Sequence, residues 1–373
     1  MPLLRRTKQL VEEVKASALT PVEKAPSIRF NRVISTGSTL LDLAVSGGRV
    51  RGGGVPGGIV MEIFSLPGLG KTALLIEMLA SAQLKGGDVH IDDPEARLDQ
   101  EYAEIYGAKI TEENYARPNT VSEIFKSIWS WKPEPKEKDA ICLRAADSLA
   151  ALSTDMELKE EDGDKRGQRR AKEFSEGLRK TCRLIANKNW LIACTNQIRT
   201  GDGGYRTTPG GWAMNFYSSL RIEISTAYPD TSKIMRKETL YNVDEEKEKG
   251  KKRGKKLKGE EEKKGKNVIE KQIGIRSVCK VVKSSLDDPF READIYILFG
   301  HGISDIWGNL QYLKDMTGTT RYVAVNKEFQ SIDKAIKHIE DNNLEKELRE
   351  NVINLWEEIQ RKFNVERKKK VRF

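Results

Sequence analysis

Residues 65–72 read SLPGLGKT, between the apolar run IVMEIF (59–64) and ALLIEMLASAQ (73–83). A loop of this kind between a strand and a helix aims consecutive backbone N–H groups, and the positive end of the helix dipole, at phosphate oxygens. Lys71 would add a cation at the terminal phosphates and Thr72 a hydroxyl ligand for Mg²⁺. Gly68 and Gly70 would let the backbone approach a phosphate without a Cβ in the way. Ser65, Leu66, Pro67, Gly68, Leu69, Gly70, Lys71, Thr72 and Ala73 thus form a candidate cradle for ATP. The usual pattern begins with Gly where Ser65 stands. If that position requires a positive φ, the serine Cβ costs about 1 kcal/mol, which loosens the loop without removing its donors.

Three further polar groups fall where such a cradle would use them. The run AICLRAADS (140–148) carries Asp147 past its apolar residues, the place of an acid that holds the Mg²⁺ shell through water. The segment DDPEARLDQEYA (92–103) puts Glu95 just beyond another strand end, facing the γ-phosphate of a nucleotide at the neighbouring strand's loop, where a carboxylate can orient and deprotonate water. In TNQIRTGDGGYRTTPGG (195–211), a buried Gln197 at a strand terminus can hydrogen-bond a phosphate and pass its presence to the glycine-rich basic loop that follows. That loop suits ordering against a nucleic-acid backbone.

Positioning these groups requires short strands separated by helices. From Ile59 onward the pattern gives strands at IVMEIF, DVHID, AICLRAADS, WLIACTNQI and SSLRIEIS, with helices near 98–106, 121–129 and 170–187 between them. The fold class is α/β, a mostly parallel central sheet covered on both faces. The glycine cluster GGGVPGG (52–58) precedes a strand rather than following one, so it reads as a turn and not as a dinucleotide fingerprint. An arm (1–31), with helical spacing in 5–17 and prolines at 21 and 26, precedes a core spanning 32–302. A small helical lobe with a basic tail, ERKKKVRF, occupies 303–373. Residues 244–266 hold one apolar residue, Leu257, and are expected to form a solvated insertion between two strands.

The net charge of +9 favours a polyanionic partner, with nucleic acid first. Four separated cysteines without a CxxC pair fit a reducing cytoplasm, and no stretch is apolar and long enough to span a bilayer.

These motifs in this order resemble the RecA family of ATP-dependent recombinases, from about Arg32 to about Ile303. ISTGSTLLDLA, EARLDQEYA, DSLAAL, GLRKTCRLIANKNWLIACTNQIR, GGWAMNFYSSLRIEI and VVKSSLDDPFREADIYILFGHGI each resemble a family segment at the expected spacing. The insertion and short basic terminus are similar to those of a phage or otherwise divergent member. The resemblance implies a RecA-like P-loop core with an N-terminal oligomerisation arm. It further implies filaments on single-stranded DNA with ATP and Mg²⁺ between protomers, homology search in duplex DNA and strand exchange. Carried over by position, Glu95 is the catalytic glutamate, with Asp93 two residues before it. Asp99 and Tyr102 contact adenine, Gln197 senses the γ-phosphate, and Phe216 relays that signal between subunits. Gly167, Lys172, Ser175 and Arg179 fall on the first DNA-binding loop and its helix; Arg199, Gly210, Gly211 and Trp212 fall on the second. Lys283 matches one of two interface lysines that reach the neighbour's ATP, whereas Ser285 replaces the other. Trp212 and Asn215 also depart from the bacterial pattern, and the tail is basic where bacterial tails are acidic. Two other readings share part of this pattern: a ring helicase of the same core fold, and a filament or mediator subunit that hydrolyses ATP weakly.

Overall fold

The computed structural model describes residues 30–155, 157, 166–200, 206–226, 232–240 and 267–363. The expected arm (1–29 of it), the charged insertion 244–266 and the basic tail from 364 onward lie outside the described residues.

Fourteen described strands run in chain order. They are β1 (Ile59–Ser65), β2 (Val89–Asp92), β3 (Tyr115–Ala116), β4 (Cys142–Ala146), β5 (Trp190–Gln197), β6 (Arg199–Thr200) and β7 (Arg206–Thr207), then β8 (Leu220–Ser225), β9 (Lys233–Leu240), β10 (Asn267–Ser284), β11 (Glu292–Leu298), β12 (Gly302–Ile303), β13 (Tyr322–Ala324) and β14 (Lys327–Phe329). The described helices are α1 (Thr39–Ser46), α2 (Lys71–Leu84), α3 (Gln100–Ile105), α4 (Val121–Ser130), α5 (Arg166–Ile185), α6 (Trp212–Tyr217), α7 (Asp305–Thr317), α8 (Ile332–Asp341) and α9 (Glu345–Phe363).

The main sheet runs β3-β2-β4-β5-β1-β8-β10-β11-β12, with β9 paired to β10. It is parallel from β3 to β8 and antiparallel beyond. β1 is a continuous buried run, as a central parallel strand must be when helices cover both faces. Its side chains alternate between two cores. Ile59, Met61 and Ile63, with Leu191 and Ala193 of β5, pack under α1 and α2. Val60, with Ile192 and Cys194, packs under α4, α5 and α6, where Phe125, Phe174, Leu178 and Met214 meet them. The helix α4 starts where Thr120 and Glu123 cap each other, Oγ1 accepting from the Glu123 N–H at 3.1 Å and the Glu123 carboxylate from the Thr120 N–H at 3.2 Å.

The helices expected near 98–106, 121–129 and 170–187 occur within a few residues of those bounds. The strand after the charged insertion begins at Asn267, eight residues before the apolar run IRSVCKVVKS (275–284), because β10 extends to pair with β9 as far as Leu240. The charged insertion is thus flanked by two paired strand ends. The C-terminal helices share the first core rather than forming a separate one: Leu310, Ile339, Leu348, Val352 and Trp356 are continuous with Leu40, Leu41 and Leu43 of α1.

Three carboxylates lie around α1 and α2, and one of them ties a C-terminal helix to the core. Asp305, at the start of α7, accepts from the Thr39 N–H at 2.6 Å and the Thr39 hydroxyl at 2.7 Å. Glu77 of α2 accepts from the Ile303 N–H at 3.0 Å, and burial pushes its pKa up to about 7. Asp42 of α1 is held by Ser35 and Thr36, and burial raises it to about 6.

Candidate active site

The parallel strands end together. Ser65 is in register with Gln197, and Asp92 with Ala146, so the loops after β1, β2, β4 and β5 emerge at one edge of the sheet. In open α/β sheets this carboxyl edge is where ligands bind. A cavity of about 230 Å³ opens there, lined by Gly68, Lys71, Thr72, Glu95, Asp147 and Gln197 among others.

The loop after β1 takes the shape that a phosphate cradle needs at two glycines. Gly68 has φ 76° and Gly70, the residue before α2, has φ 94°. At Gly70 a Cβ would meet Ile297 Cδ1, the movable end of that side chain, at 2.2 Å, so it is the backbone conformation that demands glycine. Ser65 does not share this requirement. It is the last residue of β1, paired with both Gln197 and Ile224, and its φ is not positive. The expectation of strain at Ser65 is therefore corrected: the strand ends after it, and extended backbone accepts any side chain. Its hydroxyl instead becomes a buried ligand for the lysine. Lys71 Nζ donates to Ser65 Oγ at 3.0 Å and to Leu66 O at 3.1 Å, while Ser65 Oγ donates to Leu66 O at 2.5 Å. Burial lowers the Lys71 pKa, opposed by the charges of Asp147 and Glu95.

Asp147 follows β4 and collects two hydroxyl donors. Thr72 Oγ1 donates to Oδ2 at 2.5 Å, and Thr195 Oγ1 of β5 donates to Oδ1. Burial raises the Asp147 pKa; the two hydroxyls and Lys71 pull it down, and Glu95 adds to the rise. A hydroxyl and a carboxylate side by side are hard oxygen donors, the set that Mg²⁺ takes when phosphates and waters complete its octahedron. Among the described residues no cluster of three His, Cys, Asp or Glu side chains could hold a metal by itself.

Glu95 was expected beside the neighbouring strand's loop. Two strands, β5 and β4, in fact separate β2 from β1. The loop after β2 folds back across them, so Glu95 still reaches the site: Oε1 accepts from Ser148 Oγ at 2.7 Å and from Gln197 Nε2 at 3.4 Å. Gln197 is half-buried rather than buried. Asp93 is buried and structural, accepting from the Arg97 and Leu98 N–H groups at 2.9 Å each and from the Tyr115 hydroxyl at 2.8 Å.

Beside this lies a second cavity of about 370 Å³, lined by Gly70, Thr72, Ala73, Tyr102, Tyr106, Ile297 and Phe299 among others. Its apolar walls and the tilted Tyr102–Tyr106 ring pair, 5.1 Å apart, suit a flat heterocycle. Tyr102 lines both cavities. Asp99 caps α3 through Oδ1 and the Glu101 N–H at 3.3 Å and is exposed; it lines neither cavity.

The remaining site residues stand apart from Lys71 and Glu95. Lys172 and Arg179 are exposed and Ser175 is half-buried, all on one helical face of α5. Gly167 falls within the first turn of α5 instead of a loop, a position where N–H groups have no intrahelical partner and glycine costs little. Arg199, exposed, starts the β6–β7 ladder; 201–205 between its strands are outside the described residues. Gly210 (φ 93°) and Gly211 (φ 61°) turn the chain into α6 against Phe174 and Ala171 of α5. On α6 the side chains of Trp212 and Phe216 are 75% and 76% exposed. Lys283 donates to the carbonyls of Asn215 (2.5 Å) and Phe216 (3.1 Å) near the end of α6, where a cation suits the helix dipole, and it does not line the catalytic cavity. The Ser285 N–H donates to Ser219 O at 2.7 Å.

Sequence reasoning missed Thr195, Ser148, Arg97, Tyr106 and Phe299. Thr195 and Ser148 each adjoin a recognised motif; Phe299 comes from the turn after β11, far along the chain, and only folding places it here.

A glycine-shaped loop from a central parallel strand into a helix, with a lysine and a threonine at the helix start and acids delivered from the ends of other parallel strands, defines a P-loop nucleotide-binding fold. A family model for the RecA N-terminal domain matches residues 14–249. Proteins named RecA are similar over most of the length. That of Treponema denticola is 31% identical over 357 residues, covering 92% of this chain and 75% of the relative. That of Thermus aquaticus is 30% identical over 303 residues, covering 80% and 76%, and that of Delftia acidovorans is 29% identical over 300, covering 79% and 70%. The chain belongs to the RecA family. Among the described residues, no helix is long and apolar enough to cross a membrane.

Proposed function

We propose that this protein is an ATP-dependent homologous recombinase that assembles as a helical filament on single-stranded DNA in a reducing cytoplasm. In this reading it pairs the bound strand with homologous duplex DNA and hydrolyses ATP when bound to DNA. Family membership supports the general reading. The observation that carries the mechanism is the position of Gln197. Its side chain reaches Glu95, and two residues later the chain becomes the ladder that bears Arg199, so a phosphate felt at Gln197 acts directly on the basic loop.

In the proposed reaction the loop N–H groups and Lys71 bind the β- and γ-phosphates and Tyr102 holds the adenine; Asp99, outside both cavities, would turn from its cap on α3 to join it. Thr72, and Asp147 through water, would hold a Mg²⁺ ion, which when bound would neutralise charge on the phosphate oxygens. Glu95, oriented by Ser148, takes the proton of the attacking water; Gln197 hydrogen-bonds the γ-phosphate and loses that contact after cleavage. Lys172, Ser175, Arg179, Arg199 and Trp212, with backbone at Gly167, Gly210 and Gly211, line the DNA. Phe216 and Lys283 serve the interface between protomers, Lys283 reaching the neighbour's ATP. Residues 1–31 form the arm that docks on the next protomer, 32–302 the ATPase core, and 303–373 a lobe whose basic tail attracts duplex DNA.

The test is ATP hydrolysis with and without single-stranded DNA, run beside joint-molecule formation between homologous strands. DNA should stimulate turnover, and Glu95→Gln should lower kcat by roughly 10²- to 10⁴-fold while nucleotide binding persists. Turnover indifferent to DNA, or an active Glu95→Gln protein, refutes the mechanism.

A further inference from the structure

The turn between Glu95 and Arg97 is strained, and the strain aims a cation into the catalytic cavity. Ala96 sits at φ 53°, in the left-handed region that a residue with a Cβ avoids. Three hydrogen bonds hold it there. The Ala96 N–H donates to Asp93 O at 3.2 Å, and the Arg97 and Leu98 N–H groups both donate to the buried Asp93 Oδ2. Tyr115 donates to the same oxygen, so the anchor is itself fixed. From this rigid base the Arg97 guanidinium turns back to Glu95, with NH1 3.1 Å from Oε2, and lines the cavity that contains Lys71, Thr72 and Gln197.

A structural ion pair is a poor account of this arrangement. The Arg97 side chain is 80% exposed, and a pair so wet adds little to stability. Strained backbone at a reactive carboxylate, overdetermined by a buried anchor, is the pattern of a functional constraint. Both Glu95 oxygens are occupied: Oε1 by Ser148 and Gln197, Oε2 by Arg97. A water presented to Glu95 needs one of them. Oε1 is tied from the inner wall, whereas the group on Oε2 is solvated and free to move.

We infer that Arg97 is a terminal-phosphate ligand, held on Glu95 Oε2 until a γ-phosphate in the same cavity draws it away and thereby frees the carboxylate for water. The inference rests on the nucleotide-hydrolysing reading above and adds a residue to it. A guanidinium presents planar paired donors to a phosphate and is more weakly hydrated than an ammonium, so exchange from one carboxylate oxygen to a doubly charged phosphoryl group is favourable. A diphosphate lacks that group, so Arg97 should discriminate triphosphate from diphosphate.

The experiment measures binding of the β,γ-imido analogue of ATP and of ADP, each with Mg²⁺, to wild-type protein, Arg97→Ala and Arg97→Lys. Arg97→Ala should weaken triphosphate binding by roughly ten- to a hundredfold and leave ADP within about twofold; Arg97→Lys should recover part of the loss. Equal losses for both nucleotides, or no loss for either, overturn the assignment of Arg97. Wild-type protein that binds neither nucleotide overturns the parent reading as well; wild-type binding with an indifferent Arg97→Ala overturns this inference alone.

Discussion

Replacing Ser65 by alanine removes one oxygen from a fully buried position and leaves the strand that carries it unchanged. That oxygen accepts from Lys71 Nζ at 3.0 Å and donates to Leu66 O at 2.5 Å. An ammonium has three N–H donors. Without Ser65 Oγ, the largely desolvated lysine keeps Leu66 O as its hydrogen-bond partner among the described residues, and burial already disfavours its charge. A hydrogen bond to a charged group is worth about 1.5–3 kcal/mol net. Leu66 O and water admitted to the vacated space would return part of it, so a cost near 1 kcal/mol to the protein alone is expected. In the complex, phosphate oxygens take over as acceptors, and the loss of Oγ costs less. The difference favours binding: Ser65→Ala should bind ATP and ADP tighter, by up to about fivefold for about 1 kcal/mol. It should also melt at lower temperature in the absence of nucleotide. Titration with a fluorescent nucleotide and thermal unfolding with and without ADP read the two effects. Weaker binding by tenfold or more would refute the reasoning, because it would mean that Oγ serves the phosphate-bound state. Alanine is the cleaner probe than glycine, which adds chain entropy at a strand position of about 0.5–1 kcal/mol.

Gly70→Ala should lose nucleotide affinity by more than tenfold, since the new Cβ meets Ile297 Cδ1 in a conformation that alanine resists at about 1 kcal/mol or more; isothermal titration with ADP checks it. Arg144 is buried (2% exposed) and binds both oxygens of buried Asp92 at 2.8 Å, so Arg144→Leu should cost about 3–5 kcal/mol in denaturant unfolding, whereas adding Asp92→Leu should restore much of it. Two carboxylates on the core helices α1 and α2 set a pH dependence. Glu77 at about 7 and Asp42 at about 6 lie above their ordinary values of 4.5 and 3.8. Their neutral forms therefore stabilise the fold fully below about pH 4, and this contribution fades as pH rises through 6 and 7. The melting temperature should fall between pH 5 and pH 8, and Glu77→Gln should flatten that slope.

The parallel half of the fold was legible in the sequence because burial on both faces writes an unbroken apolar run, as in β1, and because glycine at 68 and 70 marks positive φ. The elements of the site were legible for the same reason: each follows a strand end, where a polar residue after apolar ones is conspicuous. The order of the strands was not. Nothing in DVHID says that two strands separate it from IVMEIF, so Glu95 was expected at a neighbour's loop when it arrives by a fold-back across β4 and β5. Ser65 was misjudged for a related reason. Its residue type suggested a glycine position under strain, but one more pair of strand contacts puts it in extended backbone and turns its side chain inward.

The same limit explains why Arg97 had no signal. An arginine two residues past an acid is commonplace, and its meaning depends on the φ of Ala96 and on the Asp93 anchor, neither visible in the residue types. Asp93 and Arg97 give opposite lessons. Asp93, two residues before the reactive carboxylate, is spent on two backbone amides and a tyrosine, buried away from the water that a base must touch. Arg97, an ordinary exposed cation by type, is delivered to the one carboxylate oxygen that is not tied to the inner wall. If Asp93→Asn loosens the turn, it should reproduce the triphosphate defect of Arg97→Ala without touching the guanidinium. Unaltered triphosphate affinity in Asp93→Asn, with the Ala96 turn shown intact, would mean that a carboxylate charge is not needed to hold Arg97 in place.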